Sequence, residues 1–157
     1  MNNNIEFFWR TWADLSIDDY HDAVRLREKI FVVEQDCVYA DADGQDPRCH
    51  HLFYYAQNYS QRTLAGYLRL VPPGDRYSEW SISRVVTGDQ FRNCGYGRNI
   101  MKIAIKKVVS FGKHLDIRIS GQSYLKKFYE SFAFEVVGKE YLEDDIPHFE
   151  MLRKHEG

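Results

Sequence analysis

The sequence predicts a mixed α/β fold. It should be a mostly antiparallel sheet with a central parallel β-α-β unit and helices on both faces, forming one domain over residues 1–157. Three observations carry this prediction. A β-branched run ending Trp80–Thr87 passes through a glycine-bearing loop into a long helical pattern, then into the short apolar run Leu115–Ser120; that layout belongs to a right-handed parallel crossover. The apolar runs of the N-terminal half are joined by short polar turns, which makes neighbouring strands antiparallel. A chain of 157 residues with 44% hydrophobic and 28% charged content is that of an ordinary globular domain, able to bury about two thirds of its unfolded surface.

In chain order, Ile5 to Trp12 alternates loosely and reads as the first strand. Ser16-Ile17-Asp18-Asp19 resembles a capping box, and Ile17, Tyr20, Val24, Arg27 and Phe31 recur at helical spacing, so a helix runs to about Phe31. Glu34 to Cys49, rich in Asp and carrying a Gly and a Pro, reads as loop. His51–Gln57 and Thr63–Val71 are strands joined by the polar turn Asn58-Tyr59-Ser60-Gln61-Arg62, and Pro72-Pro73-Gly74-Asp75 is a further turn. After Trp80–Thr87, residues Ile100, Met101, Ala104, Ile105, Val108 and Val109 share one helix face, with Gly112 placed to end that helix. Leu125, Phe128, Tyr129 and Phe132 make a second helical stripe, and Phe134–Tyr141 and Phe149–Leu152 are the last strands.

Charge and composition narrow the function. A net charge of -2 gives no reason to expect nucleic-acid binding. No apolar run approaches the roughly 18 residues that span a bilayer, and the N-terminus lacks the basic-then-apolar pattern of a signal peptide. Three cysteines without a framework spacing suit reduced thiols and a cytoplasmic protein. Monomer and homodimer both stay open. No metal is expected: Asp41-x-Asp43-Gly44-x-Asp46 lacks the order and the terminal Glu of a calcium loop, and Cys37 with Cys49-His50-His51 matches no common zinc spacing.

The chemistry concentrates between the central strand and the long helix. Arg92-Asn93-Cys94-Gly95-Tyr96-Gly97 opens directly into the helix, whose unpartnered first-turn amides and dipole attract an anion. Glycines at 95 and 97 admit phosphate oxygens where a Cβ would obstruct them. The loop is not a P-loop, and it lacks the first glycine and the acidic residue of a dinucleotide fingerprint.

R-x-x-G-x-G after a strand reading Arg84-Val85-Val86-Thr87 resembles motif A of the Gcn5-related N-acetyltransferases (GNAT). Gln122 to Phe134 resembles motif B of the same family. Leu26–Gln35, Cys37-Val38-Tyr39, Asp43-Gly44-Gln45-Asp46, His51 and Tyr141–His148 look like its ElaA-type branch, so the resemblance runs from about Ile5 to Arg153. It implies acetyl-CoA as co-substrate, with the pyrophosphate held by Arg92, Asn93, Cys94, Gly95, Tyr96, Gly97 and Arg98. The pantetheine arm would lie along Val85, Val86 and Thr87, with Gln122 in place of the usual Asn. Tyr129 falls where the family tyrosine protonates the thiolate; spacing alone would make it a core residue of the Phe128–Phe132 stripe. Ala133 replaces a family glycine, and a left-handed backbone there would cost roughly 1–2 kcal/mol.

The acceptor implied is an amine, small-molecule or peptide, and the acidic 34–46 segment suggests a cationic one. Glu34, His51 and His148 are the candidates for a general base; a salt bridge, cap or hydrogen bond accounts equally well for each. Arg27 reads equally as a helix-surface residue pairing with a carboxylate. Two other functions compete: a coenzyme A-binding module without turnover, and an acyl-homoserine-lactone-type synthase.

Overall fold

The structure is a computed structural model and describes residues 4–58 and 61–156. Among the described residues eight strands form one sheet: β1 (Asn4–Arg10), β2 (His50–Asn58), β3 (Gln61–Val71), β4 (Trp80–Thr87), β5 (Ile117–Gln122), β6 (Phe134–Val136), β7 (Tyr141–Glu143) and β8 (Ile146–Arg153). The strand order is β1-β2-β3-β4-β5-β8-β6, with β7 also paired to β8. Among the described residues only β4 and β5 run parallel, joined by the crossover helix α2 (Tyr96–Phe111). The mixed sheet of the sequence prediction is therefore present, with α1 (Ile17–Arg27) on one face and α2 on the other.

The two faces follow from alternation along the buried strands. On β2, Leu52, Tyr54 and Ala56 pack with Ile100, Met101, Ala104 and Val108 of α2, while Phe53 and Tyr55 pack with Ala23 of α1. A strand covered on both sides has no polar face, which is why Leu52–Ala56 reads as a continuous apolar run. Each large side chain so buried stabilises the fold by about 1.5–3 kcal/mol. Among the described residues no helix is long and apolar enough to cross a membrane.

Several boundaries differ from the sequence expectation, each for a local reason. β1 stops at Arg10 because Asp14 accepts hydrogen bonds from the Thr11 amide and hydroxyl, both at 2.6 Å, folding Trp12–Asp14 into a 3-10 turn. The Ser16 cap is present, its hydroxyl accepting from the Asp19 amide at 3.0 Å. The first helix does not stop near Phe31; it widens into a π-helix over Glu28–Glu34, closed by Gln35 N–H donating to Ile30 O at 3.1 Å. Residues 59 and 60 of the expected hairpin turn lie outside the described residues.

Gly112 does follow the long helix, but its φ of 165° is ordinary extended backbone, not a left-handed cap. The expected strand Phe134–Tyr141 is two short strands, β6 and β7, broken at Gly138 (φ 89°). The hairpin between β7 and β8 turns on Asp144 and Asp145, both at positive φ, which is the hairpin geometry that Asp tolerates. The third helix, α3 (Lys126–Glu130), follows a 3-10 turn and ends before Ala133, whose φ of 64° is the left-handed conformation anticipated for the family glycine.

Candidate active site

β4 and β5 pair only at Trp80–Ile117 and Ser81–Arg118. Beyond Ser81 the strands part, and a cleft with a volume of about 1140 Å³ opens between them. A bulge in β4 accompanies the parting: Arg84 and Val85 together stand opposite Leu68 of β3, and Arg84 has φ 54°. The added residue bends a strand and strengthens its local twist. The edge of β4 carrying Val85, Val86 and Thr87 faces the cleft.

One end of the cleft is the glycine loop. Asn93 (φ 61°) and Gly95 (φ 79°) take left-handed turns, and Gly95 O accepts from the Asn99 amide at 3.0 Å to start α2. A Cβ on Gly95 would meet nothing within 4 Å, so this residue is needed for its conformation and for open space. Gly97 is helical and lies close to Thr87, whose Oγ1 would stand 3.5 Å from an added Cβ. Arg92, Asn93, Gly95, Tyr96, Gly97 and Arg98 line the cleft; Cys94 does not, and is exposed. Arg98 lies over the Phe132 ring at 5.0 Å. Arg92 donates to Glu34 Oε1 at 2.5 Å, and both side chains are about half exposed. Glu34 therefore ends the π-helix as an ion-pair partner at the loop, not as a loop residue with a free carboxylate.

Tyr129 lines the cleft from α3 and is buried. Its seat depends on Gly121 of β5: a Cβ there would lie 2.9 Å from Tyr129 Cε2 and 3.0 Å from Cδ2, so the ring packs directly on the strand backbone. Burial pushes the phenol pKa upward, with Tyr124 adding to the shift, so the hydroxyl keeps its proton at neutral pH. Gln122, the last residue of β5, exchanges two hydrogen bonds with Gln35 beyond the π-helix, at 3.1 and 3.2 Å. This pair ties the end of β5 to the far wall across the splayed strands. Neither role is legible in the local pattern, because Gly121 acts through a ring on another element and Gln35 through a residue 87 positions away.

The other end of the cleft is framed by charge. Arg27 bonds Asp41 (2.8 Å) and Asp46 (3.0 Å); Arg69 bonds Asp46 (2.7 Å) and Asp43 (2.5 Å); Arg84 bonds Asp43 (3.3 Å) and Asp41 (2.9 Å). Three arginines and three aspartates thus alternate in a closed ring. Burial works to raise the Asp43 pKa, but hydrogen bonds and charge from Arg69 outweigh it and hold the carboxyl down at about 2. Asp46 is lowered in the same way, against burial, by Arg27 and Arg69. Two sequence expectations are corrected here. Arg27 is fully buried, not on a helix surface, and Asp41, Asp43 and Asp46 of the acidic segment are paired with arginines instead of standing open to a cation.

The base candidates separate by position. His51 is buried, its Nε2 donating to Asp46 O at 2.9 Å and its Nδ1 accepting from the Tyr67 hydroxyl at 2.7 Å; burial lowers its pKa, and both nitrogens are occupied. His148 of β8 lines the cleft beside Glu143, Ser120 and Arg76. Among the described residues no group of three His, Cys, Asp or Glu is placed to hold a metal ion.

A sheet opened between two parallel strands, with a helix N-terminus at the opening and a tyrosine packed on the facing strand, defines an acyltransferase domain of the GNAT type. A family model described as "Acetyltransferase (GNAT) domain" matches residues 26–154. The chain is 38% identical over 148 residues to the UPF0039 protein sll0451 of Synechocystis, covering 94% of each. Its structure is similar to an acyl-CoA N-acyltransferase from Pseudomonas aeruginosa (TM-score 0.86, 33% identity, 96% of this chain and 99% of that one). It is equally similar to Escherichia coli ElaA (TM-score 0.86, 28% identity, 96% and 99%). The chain belongs to the GNAT acetyltransferase family, in its ElaA-type branch.

Proposed function

We propose that the protein is an N-acetyltransferase that moves an acetyl group from acetyl-CoA to an amine, small-molecule or peptide, by direct attack in a ternary complex. The observation that carries this reading is the placement of Tyr129 against Gly121, across an opening whose other wall is the unpaired edge of β4. The residues fit the donor. Gly95 leaves open space, and the first-turn amides and dipole of α2, with Arg98 beside them, suit a pyrophosphate. Val85, Val86 and Thr87 offer backbone groups to the pantetheine arm, and an amide N–H of that edge polarises the thioester carbonyl. Gln122 adds a side-chain amide to the cleft lining, held by Gln35. When bound, acetyl-CoA supplies the activated acyl group and a thiolate leaving group.

Tyr129 then acts as general acid. The amine nitrogen, as free base, bonds to the acyl carbon, the carbon–sulfur bond breaks, the phenol gives its proton to the departing sulfur, and the proton that the nitrogen then sheds returns to the phenolate through solvent. Its ordinary pKa of about 10 already exceeds the thiol's of about 8.5, and burial raises it further, so the phenol enters each cycle protonated. The three thiols of the chain are free, which supports a reducing, cytoplasmic setting.

Tyr129→Phe tests the reading because it keeps the ring on Gly121 and removes only the hydroxyl. kcat should fall by about 10²–10⁴-fold with acetyl-CoA affinity little changed. A thioester with a more acidic thiol should partly restore the rate. A variant with wild-type kcat, where chemistry limits turnover, would return Tyr129 to a packing role.

A further inference from the structure

We infer that His148 and Glu143 form the receptor for the acceptor and that the acceptor is a primary alkylammonium, His148 Nε2 taking its proton; this rests on the acyl-transfer reading above.

The hydrogen bonds assign the ring nitrogens. His148 Nδ1 lies 2.6 Å from Ile146 O, and a carbonyl only accepts, so Nδ1 carries the proton. In the neutral ring Nε2 is then a lone pair. It lies 3.4 Å from Glu143 Oε2, and no hydrogen bond among the described residues reaches it. Glu143 is held from its other sides: Arg76 donates to Oε1 at 2.7 Å and Ser120 to Oε2 at 3.1 Å, with the Tyr141 hydroxyl on Ser120 Oγ. The ring itself stacks on Tyr141 and is 7% exposed.

Two acceptors 3.4 Å apart, opening on one cleft with no donor between them, are matched by a group that brings several N–H bonds at once. A hydroxyl or thiol acceptor brings one donor and cannot bridge Nε2 and Glu143 Oε2 together, although Oε2, which already accepts from Ser120, still has a lone pair to offer. An ammonium serves both, and the carboxylate then stabilises the imidazolium that forms when Nε2 takes the proton. The balance is one N–H bond broken on the acceptor and one formed on the imidazole. A primary amine keeps an N–H on Glu143 while rotation about its C–N bond turns the freed lone pair toward the thioester.

The placement also suits the chemistry. Along β5, Ile117 and Ile119 point into the α2-side core, so Ser120 and Gln122 face the opposite side of the sheet. His148 is paired with Gln122 and lies on that side, whereas Tyr129 packs on Gly121 from the other. Base and acid thus approach the opening from opposite faces. The titratable and charged groups around His148 are Glu143 and Tyr141 of β7, Asp144 of the β7–β8 turn, and Arg76 with Tyr77 from the connection between β3 and β4.

Two measurements test the assignment. Titration of n-butylammonium into the protein without acetyl-CoA, followed by the nitrogen-15 resonances of the His148 ring, should show a saturable shift at Nε2. n-Butanol should cause none, and Glu143→Gln should weaken the ammonium response at least about tenfold. An absent shift, or an equal one in Glu143→Gln, overturns the receptor. With the amine selected by a thiol-release screen, His148→Gln should lower kcat/KM about 10²-fold at pH 7. That deficit should shrink as pH rises toward the pKa of the amine, since free amine needs no base. A folded His148→Gln variant with the wild-type profile overturns His148 as the base. Failure of the wild type to bind acetyl-CoA would strike the acyl-transfer reading instead, because the ammonium titration is made without it.

Discussion

The two ends of the cleft are built by opposite means. At one end, Arg92–Arg98 is a single contiguous segment, and what it presents is backbone: two left-handed residues and the first turn of a helix. At the other, Arg27, Asp41, Asp43, Asp46, Arg69 and Arg84 come from four separate segments, and what they build is a ring of side-chain charges. The first device can change without disturbing the fold, since nothing packs where a Gly95 side chain would go. The second cannot, because every member sits between two partners and several are buried. Breaking a buried pair leaves an uncompensated charge, which costs far more than the intact pair contributes.

That contrast predicts different consequences for damage at each end. The largest effect on stability should come from Asp46→Ala, which leaves Arg27 and Arg69, both essentially unexposed, each short of a partner. Urea denaturation should show a loss of about 3–5 kcal/mol, and a loss below about 1 kcal/mol would mean that the ring is not structural. Gly95→Val should do the reverse. Its left-handed φ of 79° makes a branched residue unfavourable by about 1–2 kcal/mol. The affinity for acetyl-CoA should fall at least about 100-fold, equivalent to about 2.7 kcal/mol. Calorimetry on a folded variant would check this, and unchanged affinity there would detach the loop from the proposed donor.

The smallest effect sharpens the comparison from the pH side. The Asp43 carboxyl is lowered from 3.8 to about 2, so its contribution to stability is fully present above the unfolded value and is lost as pH falls from about 4 toward 2. With 28% of the side chain exposed, the screened contribution is on the order of 1–2 kcal/mol. Asp43→Asn should therefore flatten the fall of the denaturation midpoint over that range. An unchanged slope would assign the acid sensitivity to other carboxylates.

Legibility followed the same division. The capping Ser16, the α2 stripe of Ile100, Met101, Ala104 and Val108, and the R-x-x-G-x-G loop could all be read from residues within one or two helical turns of each other. An alanine by itself signals no left-handed turn, and the one at Ala133 was legible only through the family resemblance, which places a glycine at that position. The π-helix over Glu28–Glu34 was not, since its widened bonds depend on what the segment packs against and not on a residue pattern of its own. The β7–β8 hairpin turning on Asp144-Asp145 was not read either, since the expected strands ended at Tyr141 and resumed at Phe149.

By itself the sequence determined the order of elements, the parallel crossover between Trp80 and Ser120, the loop that starts α2, and the stripe that carries Tyr129. All of these rest on short-range periodicity and on the backbone preferences of single residues. Only the tertiary structure decided that the aspartates of the 41–46 segment are neutralised by Arg27, Arg69 and Arg84, that Gly121 seats Tyr129, that Gln35 meets Gln122, and that, of the three base candidates, His148 lines the cleft with no hydrogen bond on its Nε2. The physical reason is that a charge or a ring acquires its role from the partner it meets. The charge and amide partners lie 14 to 87 residues away along the chain, and Gly121 and Tyr129, though near in sequence, belong to different elements, so the local pattern of neither partner marks the meeting.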